Sequence, residues 1–161
     1  GGFFFTSHDH ERLFHRTKPG PDNATPSGNG IAAGALIVLG HVCGAPRYVE
    51  AGERVVRLFS PAMAQSPAGY ASLLAALAAL TQPPTSVLLA GERAACLAWQ
   101  HKLERSFRPT VHVFNVAGIV VAAELAKGPT PADGAVAWVC RGTQCRPPID
   151  NLFRLEAELA S

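Results

Sequence analysis

The chain has 161 residues, of which 48% are hydrophobic and only 16% are charged. Average soluble domains carry about 25% charged residues, but a chain of this length can still bury a core, which excludes disorder as its main state. Its 14 lysines and arginines are scattered and exceed its 12 acidic residues by two, which gives a net charge of +2, without the concentrated basic face of a nucleic-acid-binding protein. The uncharged stretches are too short and too often broken by proline or glycine to span a bilayer.

An aromatic run opens the chain, and Gly2–Thr6 is predicted to form a short β-strand. No initiator methionine and no basic n-region precede it, which argues against a signal peptide. We therefore expect a C-terminal fragment of a longer protein. Four cysteines are too few for a disulfide scaffold, so a cytoplasmic location is expected.

Three helices are predicted in the first region, residues 1–82. A loop rich in proline and glycine, Lys18–Asn29, comes before them. Apolar residues then recur at helical spacing from Ile31 to Val42, from Pro46 to about Phe59 and from Pro67 to Leu80. Short connections between these helices predict stacked α-hairpins.

Strands and helices alternate in the second region, residues 83–161, which begins near the prolines of Thr81–Thr85. A strand, a helix and a second strand in succession predict parallel pairing, and the overall fold class is α+β. Ile119–Ala126 fits either a strand or a helix, and Asp150 is the predicted N-cap of the last helix. The other predicted elements are strands at Ser86–Ala90, Thr110–Phe114 and Ala135–Cys140 and a helix at Glu92–Phe107.

The strongest chemical feature is a cluster of polar residues before the first helix: Arg16, Lys18, Asp22, Ser27 and Asn29. Asp22 would act as a base or accept hydrogen bonds from hydroxyl groups, while the two cations would bind an anionic group. Such a set suits a polyol or a sugar. The alternative is structural: Asp22 caps a turn, Ser27 caps the helix and Arg16 pairs with Asp22.

Cys140 and Cys145 are separated by four residues, which differs from the Cys-x-x-Cys spacing of thioredoxin-like sites. Three states are open to them: a disulfide bond, a metal site completed by ligands from other parts of the chain, or free thiols with a structural or a redox role. No second cysteine pair completes a zinc site, and His8–Glu11 is interpreted as a polar loop. We therefore predict no metal and no cofactor. Cys43 and Cys96 lie in apolar surroundings and are predicted core residues.

Three spaced motifs resemble one protein family. The chain begins Gly-Gly-Phe-Phe-Phe-Thr-Ser-His-Asp-His-Glu, continues with Arg-x-Lys-x3-Asp-x-Ala-Thr-Pro-Ser-Gly-Asn, and closes with Trp-Val-Cys-x4-Cys-x2-Pro. Together they resemble the late part of thioredoxin domain-containing proteins of the spermatogenesis-associated type. Asn23 and Gly30 depart from the glycine and serine that are common in this family.

The resemblance implies an upstream thioredoxin-like domain followed by an (α/α)6 toroid, similar to the N-acylglucosamine 2-epimerase and six-hairpin glycosidase group. Gly1–Leu80 would then be the end of the toroid, and Pro83–Ser161 a C-terminal α/β appendage. Relatives of that group bind sugars in the central cavity. By analogy Asp22 would be the catalytic carboxylate of an epimerase or glycoside hydrolase in the full-length protein. The ligand-binding residues would be Arg16, Lys18, Ser27 and Asn29.

Three helices make only part of a toroid, and Asp22 has no matched acid or base partner. The fragment alone is therefore predicted to be inactive, with exposed helical faces that pair with the missing hairpins or with another copy of the chain. The alternative function is a non-catalytic protein-binding module that supports the upstream thioredoxin-like domain. A third hypothesis makes Cys140 and Cys145 a redox switch.

Overall fold

The protein is described by a computed structural model, which covers residues 1–9, 11, 14–116, 121, 125 and 128–160. These residues form five α-helices and a four-stranded mixed sheet, so the α+β fold class is confirmed. The elements are α1 Gly28–Val42, α2 Pro46–Gln65, α3 Ala71–Thr81, β1 Thr85–Gly91, α4 Arg93–Glu104, β2 Val111–Asn115, β3 Ala135–Arg141, β4 Gln144–Cys145 and α5 Leu152–Glu158. None of the helices in these ranges has both the length and the hydropathy that a bilayer crossing requires.

The chain divides into two compact units. The first unit comprises Gly1–Gly40 and Ala45–Pro83, and the second comprises His41–Gly44 and Pro84–Ser161. The first unit therefore contains most of α1 and all of α2 and α3, while the second contains the sheet, α4 and α5.

Apolar residues from α1, α2 and α3 form the core of the first unit. Gly52 allows α2 to approach α1 closely, because a Cβ atom there would lie 2.9 Å from the carbonyl oxygen of Ala33. Phe59 and Tyr70 pack at the edge of this core. Its buried residues are Ala33, Ile37, Val55, Val56, Met63, Leu73 and Ala76.

The second helix is longer than predicted. It was expected to end near Phe59, but α2 continues through Pro61 to Gln65. Proline has no N–H group and normally leaves the carbonyl four residues earlier without its helical partner. Here the Ser60 hydroxyl donates to the Arg57 carbonyl oxygen at 3.0 Å, so this acceptor is satisfied and the helix continues.

The sheet of the second unit has the order β2-β1-β3-β4. The predicted parallel pairing is confirmed: β1 runs parallel to β2, with Val87 opposite Val113, and α4 connects the two strands. β3 pairs with β1 in the antiparallel direction. The core on one face combines β1 and β3 with α4 and α5. Its buried residues are Val87, Leu89, Cys96, Leu103, Ala135, Ala137, Val139 and Leu155.

Three local predictions need correction or lie outside the described residues. Gly2–Thr6 forms no strand. The N-cap of α5 is Asn151, whose side chain accepts a hydrogen bond from the backbone of Arg154 at 3.1 Å, so the prediction of Asp150 was one residue off. Ile119–Ala126 lies largely outside the described residues.

Candidate functional site

Asp22 joins the beginnings of two helices. Its Oδ1 accepts hydrogen bonds from the backbone N–H of Ser27 at 2.7 Å and from the Ser72 hydroxyl. Its Oδ2 accepts the backbone N–H of Ser72 at 2.8 Å. Ser27 directly precedes α1 and Ser72 lies in the first turn of α3, so the carboxylate satisfies N–H groups at both helix starts.

These hydrogen bonds also fix the charge of Asp22. They lower the pKa of its carboxyl group, with the Ser72 hydroxyl as the largest cause, then the backbone N–H groups of Ser72 and Ser27, against a smaller opposing effect of burial. The carboxylate is therefore ionised at neutral pH. A general acid or base works best with a pKa near the operating pH and within reach of a substrate proton, and Asp22 has its oxygens committed to the helices.

Ser27 acts as the N-cap of α1. Its hydroxyl accepts the backbone N–H of Gly30 at 3.0 Å and lies 3.3 Å from the Ser72 hydroxyl. The buried Ser27 thus contacts Asp22 through its backbone N–H and Ser72 through its hydroxyl. We call Asp22, Ser27 and Ser72 the Asp22 clamp.

Asn29 lies buried and holds the beginning of the chain. Its Oδ1 accepts the backbone N–H of Phe3 at 2.6 Å, and its Nδ2 donates to the carbonyl oxygens of Phe3 at 3.0 Å and Pro19 at 2.8 Å. The side-chain amide pairs with Phe3 as a neighbouring strand would. The backbone N–H of Phe5 donates to the carbonyl oxygen of Thr17 at 2.9 Å, so this segment bonds to separate groups and forms no strand.

Arg16 and Lys18 bind the same segment through the Phe4 ring and through backbone carbonyl groups. The Arg16 guanidinium lies 4.2 Å and the Lys18 ammonium 4.5 Å from the centre of the Phe4 ring, which are cation–π distances. Arg16 also donates to the carbonyl oxygen of Thr6 at 2.5 Å, and Lys18 to that of Gly1 at 2.6 Å. Arg16 therefore bonds to Thr6, and no ion pair with Asp22 occurs among the described residues.

The structure thus divides the five predicted residues into two groups. Asp22 and Ser27 belong to the Asp22 clamp, while Arg16, Lys18 and Asn29 bind the first six residues. Ser72 is not among the predicted residues, because the sequence places it in the second turn of a helix that begins at Pro67. The structure has a 3₁₀ turn at Pro67–Tyr70 and begins α3 at Ala71, which puts Ser72 in the first turn.

Two of the cavities among the described residues lie in the second unit, and none of the five predicted residues lines either of them. The larger has a volume of about 460 Å³ and lies at the β3–β4 hairpin. The second, of about 380 Å³, lies along β2 and the residues that lead into it, from Phe107 onwards.

Cys140 and Cys145 are joined by a disulfide bond and are not free thiols. They lie directly opposite each other in the β3–β4 pairing, where the Gly142–Thr143 turn with a φ of 60° at Gly142 reverses the chain. Cys96 is a buried free cysteine whose pKa is raised by burial, and Cys43 is a half-buried one. Within the described ranges no group of three histidine, cysteine, aspartate or glutamate residues is placed to hold a metal ion. His10 lies outside those ranges.

No family model matches the chain, and no curated protein or solved structure matches it either.

Proposed function

We propose that the chain is a non-catalytic interaction module whose helices α1 and α3 pack through apolar faces against further helices. The observation that supports this proposal is that the exposed faces of α1 and α3 are apolar, whereas the exposed face of α2 carries ion pairs.

Helices α1 and α3 present apolar side chains to solvent. In α1, Ile31 is 58% exposed and Leu39 is 42% exposed, with the exposed Ala35 between them at the same four-residue spacing. In α3, the exposed positions include Ala75 and Leu77. Neither helix contains an aspartate, glutamate, lysine or arginine residue.

Helix α2 provides the comparison within the same unit. Its solvent side carries ion pairs four residues apart, Glu50 with Arg54 and Glu53 with Arg57. This is the ordinary pattern of a helix that faces water. Contiguous exposed apolar surface instead marks contact sites, so we assign α1 and α3 to contacts.

The polar residues before α1 form contacts within the first unit, which agrees with a non-catalytic module. The Asp22 carboxylate, Asn29 and the two cations bind other parts of the first unit, as described above. A residue that proton transfer requires must instead be free to meet the substrate.

The partner we propose is another pair of helices with an apolar face. On the resemblance noted above, these would be the remaining hairpins of an (α/α)6 toroid, in a protein that also has a thioredoxin-like domain. A second copy of the chain offers equivalent faces and serves as the experimental partner.

Sedimentation velocity tests this proposal. We expect the chain to self-associate, and a double variant, Ile31→Gln with Leu39→Gln, to shift it towards the monomer. The matched control is Leu97→Gln on α4, because Leu97 is 39% exposed but lies on neither face. A monomeric wild-type chain at submillimolar concentration, or an equal effect of the control, would contradict the proposal.

Carbohydrate modification by the full-length protein is the second hypothesis, and it rests on the resemblance alone. It predicts that wild-type protein changes the proton NMR signals of free or N-acylated sugars and that Asp22→Asn abolishes this without unfolding the protein. Loss of activity together with unfolding would instead point to the Asp22 clamp.

A further inference from the structure

We propose that the cavity at the β3–β4 hairpin binds a small thiol that carries a carboxylate, and that this thiol opens the disulfide by attacking Cys145. This inference does not depend on the function proposed above, because it concerns the second unit only.

The disulfide forms part of the cavity wall. Cys140 and Cys145 both line the space of about 460 Å³, together with Thr85 and Thr110 at the beginnings of β1 and β2. A space of this volume accommodates a small ligand. A thiol bound in it would meet the disulfide directly.

The two sulfur-bearing residues differ in accessibility. Cys140 is 1% exposed, whereas Cys145 is half-buried. Thiol–disulfide exchange requires a thiolate to reach one of the two sulfur atoms, and access decides which one. The entering thiolate therefore attacks Cys145, and Cys140 is the leaving group.

The charges around the cavity favour an anion. Its lining residues include two cationic ones, Arg141 and Arg146, and one acidic one, Glu158. Arg146 forms an ion pair with Glu158, whereas Arg141 is exposed and forms no ion pair within the described residues. Arg141 is thus the group available to a ligand carboxylate.

The exchange balances without any further reactant. The sulfur of the thiolate forms a bond to Sγ of Cys145 while the bond between Cys145 and Cys140 breaks. The electron pair goes to Sγ of Cys140, which takes up a proton from water. The products are a mixed disulfide at Cys145 and a free thiol at Cys140. Attack of Cys140 on Sγ of Cys145 expels the small thiol and reverses the step, whereas a second small thiol that attacks the small-molecule sulfur releases the Cys145 thiol and leaves as a small-molecule disulfide.

Three small thiols of different charge test the inference: 3-mercaptopropionate, 2-mercaptoethanol and cysteamine. Their exchange rates are compared per thiolate and relative to the urea-unfolded chain, because intrinsic thiolate nucleophilicity rises with the pKa of the thiol. In the folded protein, in a Cys43→Ser background that removes the half-buried free thiol, we expect the anionic thiol to react about five- to tenfold faster than the neutral one at low salt. The cationic thiol should be slowest. The urea-unfolded chain keeps the disulfide without the cavity, so its rates give the intrinsic order of the three thiols by which the folded-state rates are divided.

Variants assign the effect to the cavity. Arg141→Gln should reduce the preference for the anionic thiol to near that of the unfolded chain, and Glu158→Gln should increase it. Arg93→Gln is the control, because Arg93 is exposed on α4 and does not line the cavity. We expect it to leave the rates unchanged.

Peptide mapping identifies the attacked sulfur. Trypsin cleaves after Arg141 and so separates Cys140 from Cys145. After quenching with iodoacetamide, we expect the thiol adduct on the Cys145 peptide and the alkyl group on Cys140. An adduct on Cys140, folded-to-unfolded rate ratios that do not depend on thiol charge, or a disulfide that opens only on unfolding would each overturn the inference.

Discussion

Replacing Asp22 by asparagine should destabilise the first unit. The substitution keeps the shape of the side chain but removes its charge and exchanges one acceptor oxygen for an NH₂ group. That group would face a backbone N–H that now donates to the carboxylate, either that of Ser27 or that of Ser72. One helix N-terminus would therefore lose its hydrogen-bond acceptor, and both would lose the negative charge of the carboxylate.

The magnitude follows from the hydrogen bonds of the carboxylate. A hydrogen bond to a charged group contributes about 1.5–3 kcal/mol, an N-cap side chain about 1 kcal/mol, and an anion at a helix N-terminus about 0.3–1 kcal/mol. Asparagine retains one acceptor oxygen, and the half-buried position of Asp22 screens its charge. We therefore expect the free energy of unfolding to fall by about 2 kcal/mol, from the lower ends of these ranges.

The pH dependence gives an independent check. The pKa of Asp22 is lowered in the folded chain, so its stabilising effect is complete above the unfolded-state pKa of about 3.9. It is lost as the pH falls towards the folded-state pKa, where the carboxylate is protonated. The difference in stability between wild type and Asp22→Asn should therefore be largest at neutral pH and shrink below the unfolded-state pKa.

Urea unfolding followed by far-ultraviolet circular dichroism measures both effects, because α1, α2 and α3 contribute most of the helical residues. Asp9→Asn is the matched control, since Asp9 is an exposed aspartate of the same unit whose carboxylate forms no hydrogen bond within the described residues. We expect the control to change stability little. Equal stability of wild type and Asp22→Asn at neutral pH, or a difference that does not shrink in acid, would refute the proposed role of the clamp.

Three further substitutions test the surrounding structure. Asn29→Ala removes three hydrogen bonds of a side chain that is 3% exposed, so we expect a loss of about 2 kcal/mol and faster chymotryptic cleavage around Phe3. Gly30→Ala should cost about 1–3 kcal/mol in urea unfolding, because its Cβ would lie 2.6 Å from Cβ of Ser72. Asn151→Ala removes the N-cap of α5 and should cost about 1 kcal/mol, measured by tryptophan fluorescence because both tryptophans lie in the second unit.

The substitutions at Gly30 and Asn151 each have a neighbour that serves as a control. An added Cβ at Gly34, inside α1, meets no atom within 4 Å, so Gly34→Ala should raise stability by about 0.5–1 kcal/mol. Asp150→Ala should have little effect, because the cap is Asn151. A stabilising Gly30→Ala variant would contradict the close packing between α1 and α3, and equal losses for Asp150→Ala and Asn151→Ala would contradict the assigned cap.

The local elements follow from the sequence. The helical spacing of Ile31–Val42 predicts α1, and the continuous apolar run Ser86–Ala90 predicts a buried strand that the structure places at the centre of the sheet. The parallel pairing of β1 and β2 follows as well, because a helix connects them. These features depend on periodicity and on short connections, which neighbouring residues determine.

Only the tertiary structure decided which distant groups meet. Asp22 and Ser72 are 50 residues apart, and their contact exists because the beginnings of α1 and α3 converge. Likewise, the run Gly2–Thr6 has the composition of a strand, but Phe3 pairs with the Asn29 amide and Phe5 donates to the carbonyl oxygen of Thr17, and no sheet edge pairs with it. A polar side chain or an extended segment satisfies its hydrogen bonds with whichever groups the fold brings near, and sequence spacing alone does not specify them.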